Sequence, residues 1–176
     1  MSRIVRRKLT NTEVDLLIYD TKSFLSLIYV SKERWLGFKN PYVIGENDNF
    51  AGVCMIYKLK NWIKIGPLVV LKKYQGKGFG KKLLYQIVKD YKNKNIFITS
   101  SNPNVKKILD KLNFTYINNY FSLPLKMRLF LIKQLYEHLN FNMLVEFIRK
   151  KFTLNKERRY YFVKYLNKIY MPRTTS

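Results

Sequence analysis

Apolar positions along this chain change their period several times, and each change marks an element. Residues 3–9 alternate well enough for a first strand. Asn11-Thr12-Glu13-Val14-Asp15 then supplies a cap and an acidic first turn, with Val14, Leu17 and Ile18 at helical spacing, so a helix is predicted to about Tyr19. Residues 24–29 predict a second helix, with Thr21-Lys22-Ser23 placed to cap it. Two bounded apolar runs, 42–45 and 50–57, are joined by Glu46-Asn47-Asp48-Asn49 and read as a β-hairpin. The next strand, 62–71, runs directly into a glycine-rich hexamer.

Beyond the hexamer, Leu83, Leu84, Ile87, Val88 and Tyr91 recur three or four apart, predicting a helix over 78–91. A buried-type strand at 96–100, a helix marked by Val105, Ile108, Leu109 and Leu112, and a strand at 114–117 follow. Strand, helix, strand, helix, strand is the α/β order, which places a ligand at the carboxyl ends of the strands. From Pro124 the texture changes to three amphipathic helical patterns: Leu125 to Leu139, then Leu144, Phe147 and Ile148, then Tyr161, Phe162, Tyr165, Leu166 and Ile169. With no strand signal evident after Phe121, the expected organisation is a core over 1–121 and a basic helical extension over 122–176, packed on the core or forming a dimer surface.

With 176 residues, 47% apolar and 16% aromatic, the chain has the material for a packed core. One cysteine, Cys54, cannot form an internal disulfide, and in its apolar strand it reads as a buried, inert thiol. No stretch approaches a membrane span, and Met1 to Lys8 carries basic residues without the apolar segment of a secretory signal. The expectation is a soluble, cytoplasmic protein with no membrane partner.

Charge changes the picture more than composition does. The formal net charge is +23, and it is unevenly spread: residues 1–60 hold 10 Lys/Arg against 6 Asp/Glu, 61–114 hold 12 against 2, and 115–176 hold 12 against 3. The excess begins at the hexamer, where Lys72, Lys73, Lys77, Lys81 and Lys82 gather, and continues to the end. An anionic partner larger than a cofactor, nucleic acid foremost, fits such a surface. The basic residues Arg149, Lys150, Lys151, Lys156, Arg158 and Arg159, near Tyr160, Tyr161 and Tyr165, are its candidate contacts; solvated lysines on a packing helix are the plainer reading.

Gln75-Gly76-Lys77-Gly78-Phe79-Gly80 is where the chain states a chemistry. A strand that ends in glycines and enters a helix leaves main-chain N–H groups free at the positive end of the helix dipole, which suits phosphate. It is not a P-loop, because Gly80 is followed by Lys81-Lys82-Leu83 with no hydroxyl for magnesium. Nor is it a dinucleotide fingerprint, because the three glycines are evenly spaced and no acidic residue closes a following strand.

The segment from Leu68 to Gly80 resembles the coenzyme A pyrophosphate loop of the Gcn5-related N-acetyltransferases (GNAT), Gln/Arg-x-x-Gly-x-Gly/Ala after a strand, with Gln75, Gly78 and Gly80 at its fixed positions. A second block, from Ser101 to Phe114, is similar to that family's later pattern, with Asn102 and Phe114 at the right separation. Together the blocks cover roughly residues 42–116. The resemblance implies an α/β fold with a central, mostly antiparallel sheet of splayed strands flanked by helices, here with C-terminal helices added. It implies acetyl transfer from acetyl-CoA to an amine, without a metal. The main chain of Leu68, Val69 and Val70 would hold the pantetheine arm, Gln75, Gly76, Lys77, Gly78, Phe79, Gly80 and Lys81 would hold the pyrophosphate, and Asn102 would add a contact.

Three positions depart from the family. Leu109 stands where its acid tyrosine is common, Asn113 replaces the glycine before Phe114, and Trp62 to Ile65 contain no carboxylate for a base. Glu46, Tyr57, Tyr116 and Tyr120 are the remaining candidates for proton transfer, each with a structural role as the alternative. His138, the only histidine, has no second ligand at metal spacing. The acceptor is an amine on a protein, a small molecule, a nucleic acid or an aminoacyl-tRNA. A second reading is a nucleic-acid-binding or DNA-modifying protein that keeps the scaffold with acetyl transfer lost or altered.

Overall fold

The computed structural model describes residues 2–22, 30–138 and 160–166. Its seven strands form one mostly antiparallel sheet in the order β1-β2-β3-β4-β5-β7-β6. The chain divides into two compact units, the first drawn from Met1–Lys58 and Ile65–Asp90, the second from Leu59–Lys64 and Tyr91–Ser176.

The first unit begins with β1 (Ser2–Arg6) and α1 (Asn11–Thr21). Thr10 caps α1 with a reciprocal pair: its hydroxyl accepts from the Glu13 N–H, and Glu13 accepts from the Thr10 N–H at 2.9 Å. Val14 and Leu17 carry the buried face. A short helix, α2 (Lys32–Gly37), is capped by Ser31 and buries Trp35; the periodicity did not predict it, because six residues hold too few turns to show a period. The helix expected over 24–29 lies outside the described residues.

The predicted hairpin is present as β2 (Tyr42–Glu46) and β3 (Asn49–Leu59). Asn47 and Asp48 turn it at φ 48° and 62°, left-handed conformations that these two residue types tolerate. β1 and β2 pair antiparallel with Ile4 opposite Ile44. Cys54, in β3, is buried and free, as expected. β4 (Trp62–Val70) is shared between the units, leads through one 3₁₀ turn (Lys72–Tyr74), and is followed by α3 (Phe79–Asp90), which buries Phe79, Leu83, Leu84 and Ile87.

In the second unit β5 (Asn95–Ser100) leads to α4 (Pro103–Lys111), β6 (Thr115–Ile117), a 3₁₀ turn (Tyr120–Ser122) and α5 (Leu125–His138). Residues 160–164 correct the sequence expectation. They form a strand, β7 (Tyr160–Lys164), where a third helix was predicted. β7 pairs antiparallel with both β5 and β6, setting Phe162 opposite Ile98 and Tyr116. Phe162 and Val163 are both fully buried, so the strand is covered on its two faces and shows none of the alternation that would have signalled it. The core of this unit gathers Trp62, Phe97, Ile117, Leu123, Met127 and Val163.

α5 is present as predicted, with Met127 in that core and Leu131 against it; Leu125, Leu129, Ile132 and Tyr136 on the same helix remain exposed. The helical pattern at Leu144 to Ile148 and the basic residues Arg149, Lys150, Lys151, Lys156, Arg158 and Arg159 lie outside the described residues. Among the described residues no helix is long and apolar enough to cross a membrane.

Glu13 also anchors the chain ahead of α1. The Arg7 Nη1 donates to its Oε2 at 2.8 Å, and the side chain is almost fully buried. Burial pushes the Glu13 carboxyl up, but the Arg7 and Thr10 hydrogen bonds outweigh it and leave the group below the usual carboxylate range. A carboxyl depressed by folding stabilises fully above its unfolded-state value, and that contribution is lost as pH falls through the folded value. Glu13→Gln is therefore expected to cost roughly 1 kcal/mol at neutral pH. Its melting temperature should also converge on the parent's in acid, once the pH has fallen below the depressed Glu13 value. Equal melting at pH 7 would refute this assignment.

Candidate active site

Everything that shapes the hexamer lies within the first unit. Leu71 leaves β4 with its N–H on the Ala51 carbonyl (2.9 Å), and the 3₁₀ turn closes when the Tyr74 N–H reaches the Leu71 carbonyl (2.8 Å). Tyr74 is buried and packs against Phe79, ring centroids 5.9 Å apart. These two rings pin the hexamer at both ends, leaving the polar residues between them in solvent. Gln75 folds back so that its Nε2 donates to the Val70 carbonyl at 3.1 Å.

Gly76 and Gly78 adopt φ 81° and 79°, the left-handed region that favours glycine. A Cβ at either would meet no protein atom within 4 Å, so it is backbone conformation, and not crowding by the protein, that requires glycine there. The first intrahelical donor of α3 is Lys82, whose N–H reaches the Gly78 carbonyl at 3.0 Å. Among the described residues, none of the main-chain N–H groups from Gly76 to Lys81 donates a hydrogen bond within the protein. Lys72, Lys73, Lys77, Lys81 and Lys82, within or next to this row along the chain, have exposed side chains; the Lys77 Nζ reaches Glu46 and the Lys82 Nζ reaches the Ser2 hydroxyl. Unused donors at a helix N-terminus, in a stretch rich in lysine, fit a diphosphate.

Of the four proton-transfer candidates, Glu46 and Tyr57 lie in the first unit. Glu46 stands beside the hexamer, where its Oε2 accepts from the Lys77 Nζ at 2.9 Å. Tyr57, in β3, packs edge-to-face on Phe38 with centroids 5.4 Å apart. Tyr116 and Tyr120 belong to the second unit. The Tyr116 hydroxyl donates to the Asn118 Oδ1 (3.1 Å), and its ring contacts Tyr160 and Phe162. The Tyr120 hydroxyl donates to the Arg128 carbonyl (3.1 Å). Each tyrosine thus has a packing or bonding task.

The second sequence block has a local explanation as well. Asn102 caps α4, its Oδ1 accepting from the Asn104 N–H at 2.9 Å ahead of Pro103. Asn113 ends the helix at φ 58°, the conformation glycine usually supplies, and Asn tolerates it at small cost. Leu109 is fully buried, and its carbonyl accepts from the Phe114 N–H at 3.0 Å, so that position serves packing. In β4, Lys64 is buried and engaged by a partner. Among the described residues no group of His, Cys, Asp or Glu could hold a metal ion.

Sequence reasoning missed Asp20 of α1, whose Oδ2 accepts from the Lys72 N–H at 2.7 Å. No spacing rule could have found it, since the partners are 52 positions apart.

Residues 14–114 match the Acetyltransferase (GNAT) family. Among solved structures the fold is similar to N-acetylglutamate synthase from Neisseria gonorrhoeae complexed with coenzyme A and N-acetyl-glutamate, with a TM-score of 0.65 and 16% identity. That match covers 96% of this chain but only 36% of the synthase. It is similar as well to diaminobutyrate acetyltransferase from Paenibacillus lautus in complex with its substrate and coenzyme A (TM-score 0.57, 11% identity, 93% of this chain and 95% of that one). The ribosomal-protein-S18-alanine N-acetyltransferase from Escherichia coli aligns at a TM-score of 0.53 and 16% identity, over 68% of this chain and 83% of that one. No curated protein matches the chain by sequence.

Proposed function

The chain belongs to the GNAT acetyltransferase family, and on that footing we propose that it transfers the acetyl group of acetyl-CoA to an amine, with the Gln75 to Lys81 loop as the pyrophosphate cradle. The observation that carries this reading is the row of unused main-chain N–H groups from Gly76 to Lys81, set at the start of α3 in a lysine-rich stretch of the chain. Acetyl-CoA supplies an activated thioester, and the chain's own residues supply place and orientation.

In this reading Gly76, Gly78 and Gly80 let the backbone approach the phosphates, and Lys77 and Lys81 add charge from the rim. Phe79, buried in the first turn of α3, anchors the cradle to the core. Leu68, Val69 and Val70 offer their main chain to the pantetheine arm, and Asn102 adds a polar contact. Glu46 is the one candidate base beside the loop, and its ion pair with Lys77 occupies it. Tyr57, Tyr116 and Tyr120 are held by packing and hydrogen bonds. Positioning then carries most of the rate, with water moving protons; lack of one acid–base group typically costs about 10²- to 10⁴-fold.

The net charge of +23 favours an acceptor on an anionic molecule, a nucleic acid or aminoacyl-tRNA ahead of a protein. The same charge supports the second reading, a nucleic-acid-binding protein on this scaffold, and a cytoplasmic location suits either. Calorimetry with acetyl-CoA, followed by thiol-release assays with protein, small-molecule and tRNA-borne amines, tests the proposal. Saturable binding together with amine-dependent thiol release is expected. Absence of saturable binding would sink the enzyme reading.

A further inference from the structure

The 3₁₀ turn that aims the hexamer has an unusual start. A residue at the head of a helical turn normally brings its own side-chain oxygen to the first free N–H groups. Here that residue is Leu71, which has none, and no side chain within the turn caps it. The acceptor comes instead from Asp20, near the end of α1, with its Oδ2 2.7 Å from the Lys72 nitrogen. Both residues lie in the first unit. The turn it caps has no slack on its far side: Gln75 donates its N–H to the Lys72 carbonyl at 3.2 Å and its Nε2 to the Val70 carbonyl at 3.1 Å. Gly76 follows at once with its left-handed φ of 81°. The acceptor is a carboxylate, and an ionised acceptor makes the stronger kind of bond to a main-chain donor.

We propose that Asp20 is a positioning residue for the cofactor loop: a remote cap that fixes the 3₁₀ turn and so holds the N–H groups of Gly76 to Lys81 in line before the cofactor arrives. The inference rests on the assignment of that loop to coenzyme A. Because the acceptor sits on α1, the loop's order is tied to that helix, and displacement of α1 would loosen the cradle. No part of Asp20 touches the cofactor in this scheme. It acts through the Lys72 amide.

Four substitutions separate this from general destabilisation. Asp20→Ala removes the acceptor. Asp20→Asn keeps an oxygen acceptor and loses the charge. Lys72→Pro removes the donor while fitting the extended Leu71 that precedes it (φ −56°, ψ 143°); Lys72→Ala, which keeps the N–H, is its control. Amide hydrogen exchange on the cofactor-free protein reads the turn directly, and calorimetry with coenzyme A reads the cradle. Loss of a charged hydrogen bond should weaken coenzyme A binding about tenfold or more in Asp20→Ala. Asp20→Asn should stay within about threefold of the parent. Exchange should accelerate at Tyr74 and Gln75 while the core of α3 stays protected. In the Asp20→Ala background Lys72→Pro should be no worse than Lys72→Ala, because the bond is already gone.

Unchanged exchange in Asp20→Ala, or faster exchange with an unchanged dissociation constant, overturns the inference while leaving the loop assignment standing. If the parent protein shows no saturable coenzyme A binding, the loop assignment falls and the inference with it. If Asp20→Ala does not fold, the Lys72→Pro and Lys72→Ala pair in the parent background decides, with equal affinities counting against the proposal.

Discussion

Gly78→Asp is expected to abolish detectable coenzyme A binding while the protein still folds. Two effects add. Any side chain at φ 79° is strained by about 1–3 kcal/mol. The new carboxylate would also stand among the free N–H groups of the cradle, satisfying them itself and repelling the diphosphate. Desolvated charge repulsion of a few kcal/mol brings the total loss to roughly a thousandfold or more. Since a Cβ at this position meets no protein atom within 4 Å, the exposed loop can relax to relieve the strain at the cradle's expense, and melting should shift little. Gly78→Ala separates the terms, because it introduces strain without charge and should lose about tenfold. Calorimetry and thermal melting on both variants decide the matter. An aspartate variant that still binds coenzyme A within threefold would show that the phosphates are held elsewhere.

A second glycine has the opposite profile, a large cost to the fold and an indirect one to the ligand. Gly52 in β3 lies so close to β4 that an added Cβ would sit 2.6 Å from the Val69 carbonyl oxygen and 3.1 Å from the Val70 Cα. Those are main-chain atoms, which cannot rotate away. Relief requires β4 to move over the residues that lead into the cradle. Gly52→Ala should therefore destabilise by about 3 kcal/mol. For a chain of this size that is roughly 6–12 °C in melting temperature. Coenzyme A binding should weaken as well, since Val69 and Val70 carry the start of the loop. A variant that melts within a degree or two of the parent would mean that β3 and β4 are further apart than described.

The parts of the fold legible in the sequence are those whose cause is local. The β4-loop-α3 passage could be read because glycines, an apolar run and helical spacing follow one another without a break over residues 62–91. The β2–β3 turn could be read from Asn47 and Asp48, residue types that accept the left-handed conformations they adopt. Asn113 looked like a departure from the family, yet it does the conformational work of the glycine it replaces. What failed was long-range. β7 returns after more than forty residues to lie between β5 and β6, and its run of aromatic and β-branched residues fits a helix or a two-faced buried strand until its partners are known. Asp20 has no sequence signature for its role, because a carboxylate near the end of a helix is common and only the chain's return brings Lys72 to it. The proton-transfer candidates were chosen by residue type alone. Packing then gave Tyr116 and Tyr120 other partners.

The placement of β7 has a consequence during synthesis. β5 and β6 are not neighbours; each pairs with a strand that the ribosome delivers later. Until residues 160–164 emerge, both earlier strands present bare edges to solvent, which favours association with other chains and recruitment of chaperones. A nascent polypeptide halted before Tyr160 would lack the middle of that half of the sheet, so clearance by proteases is its expected fate.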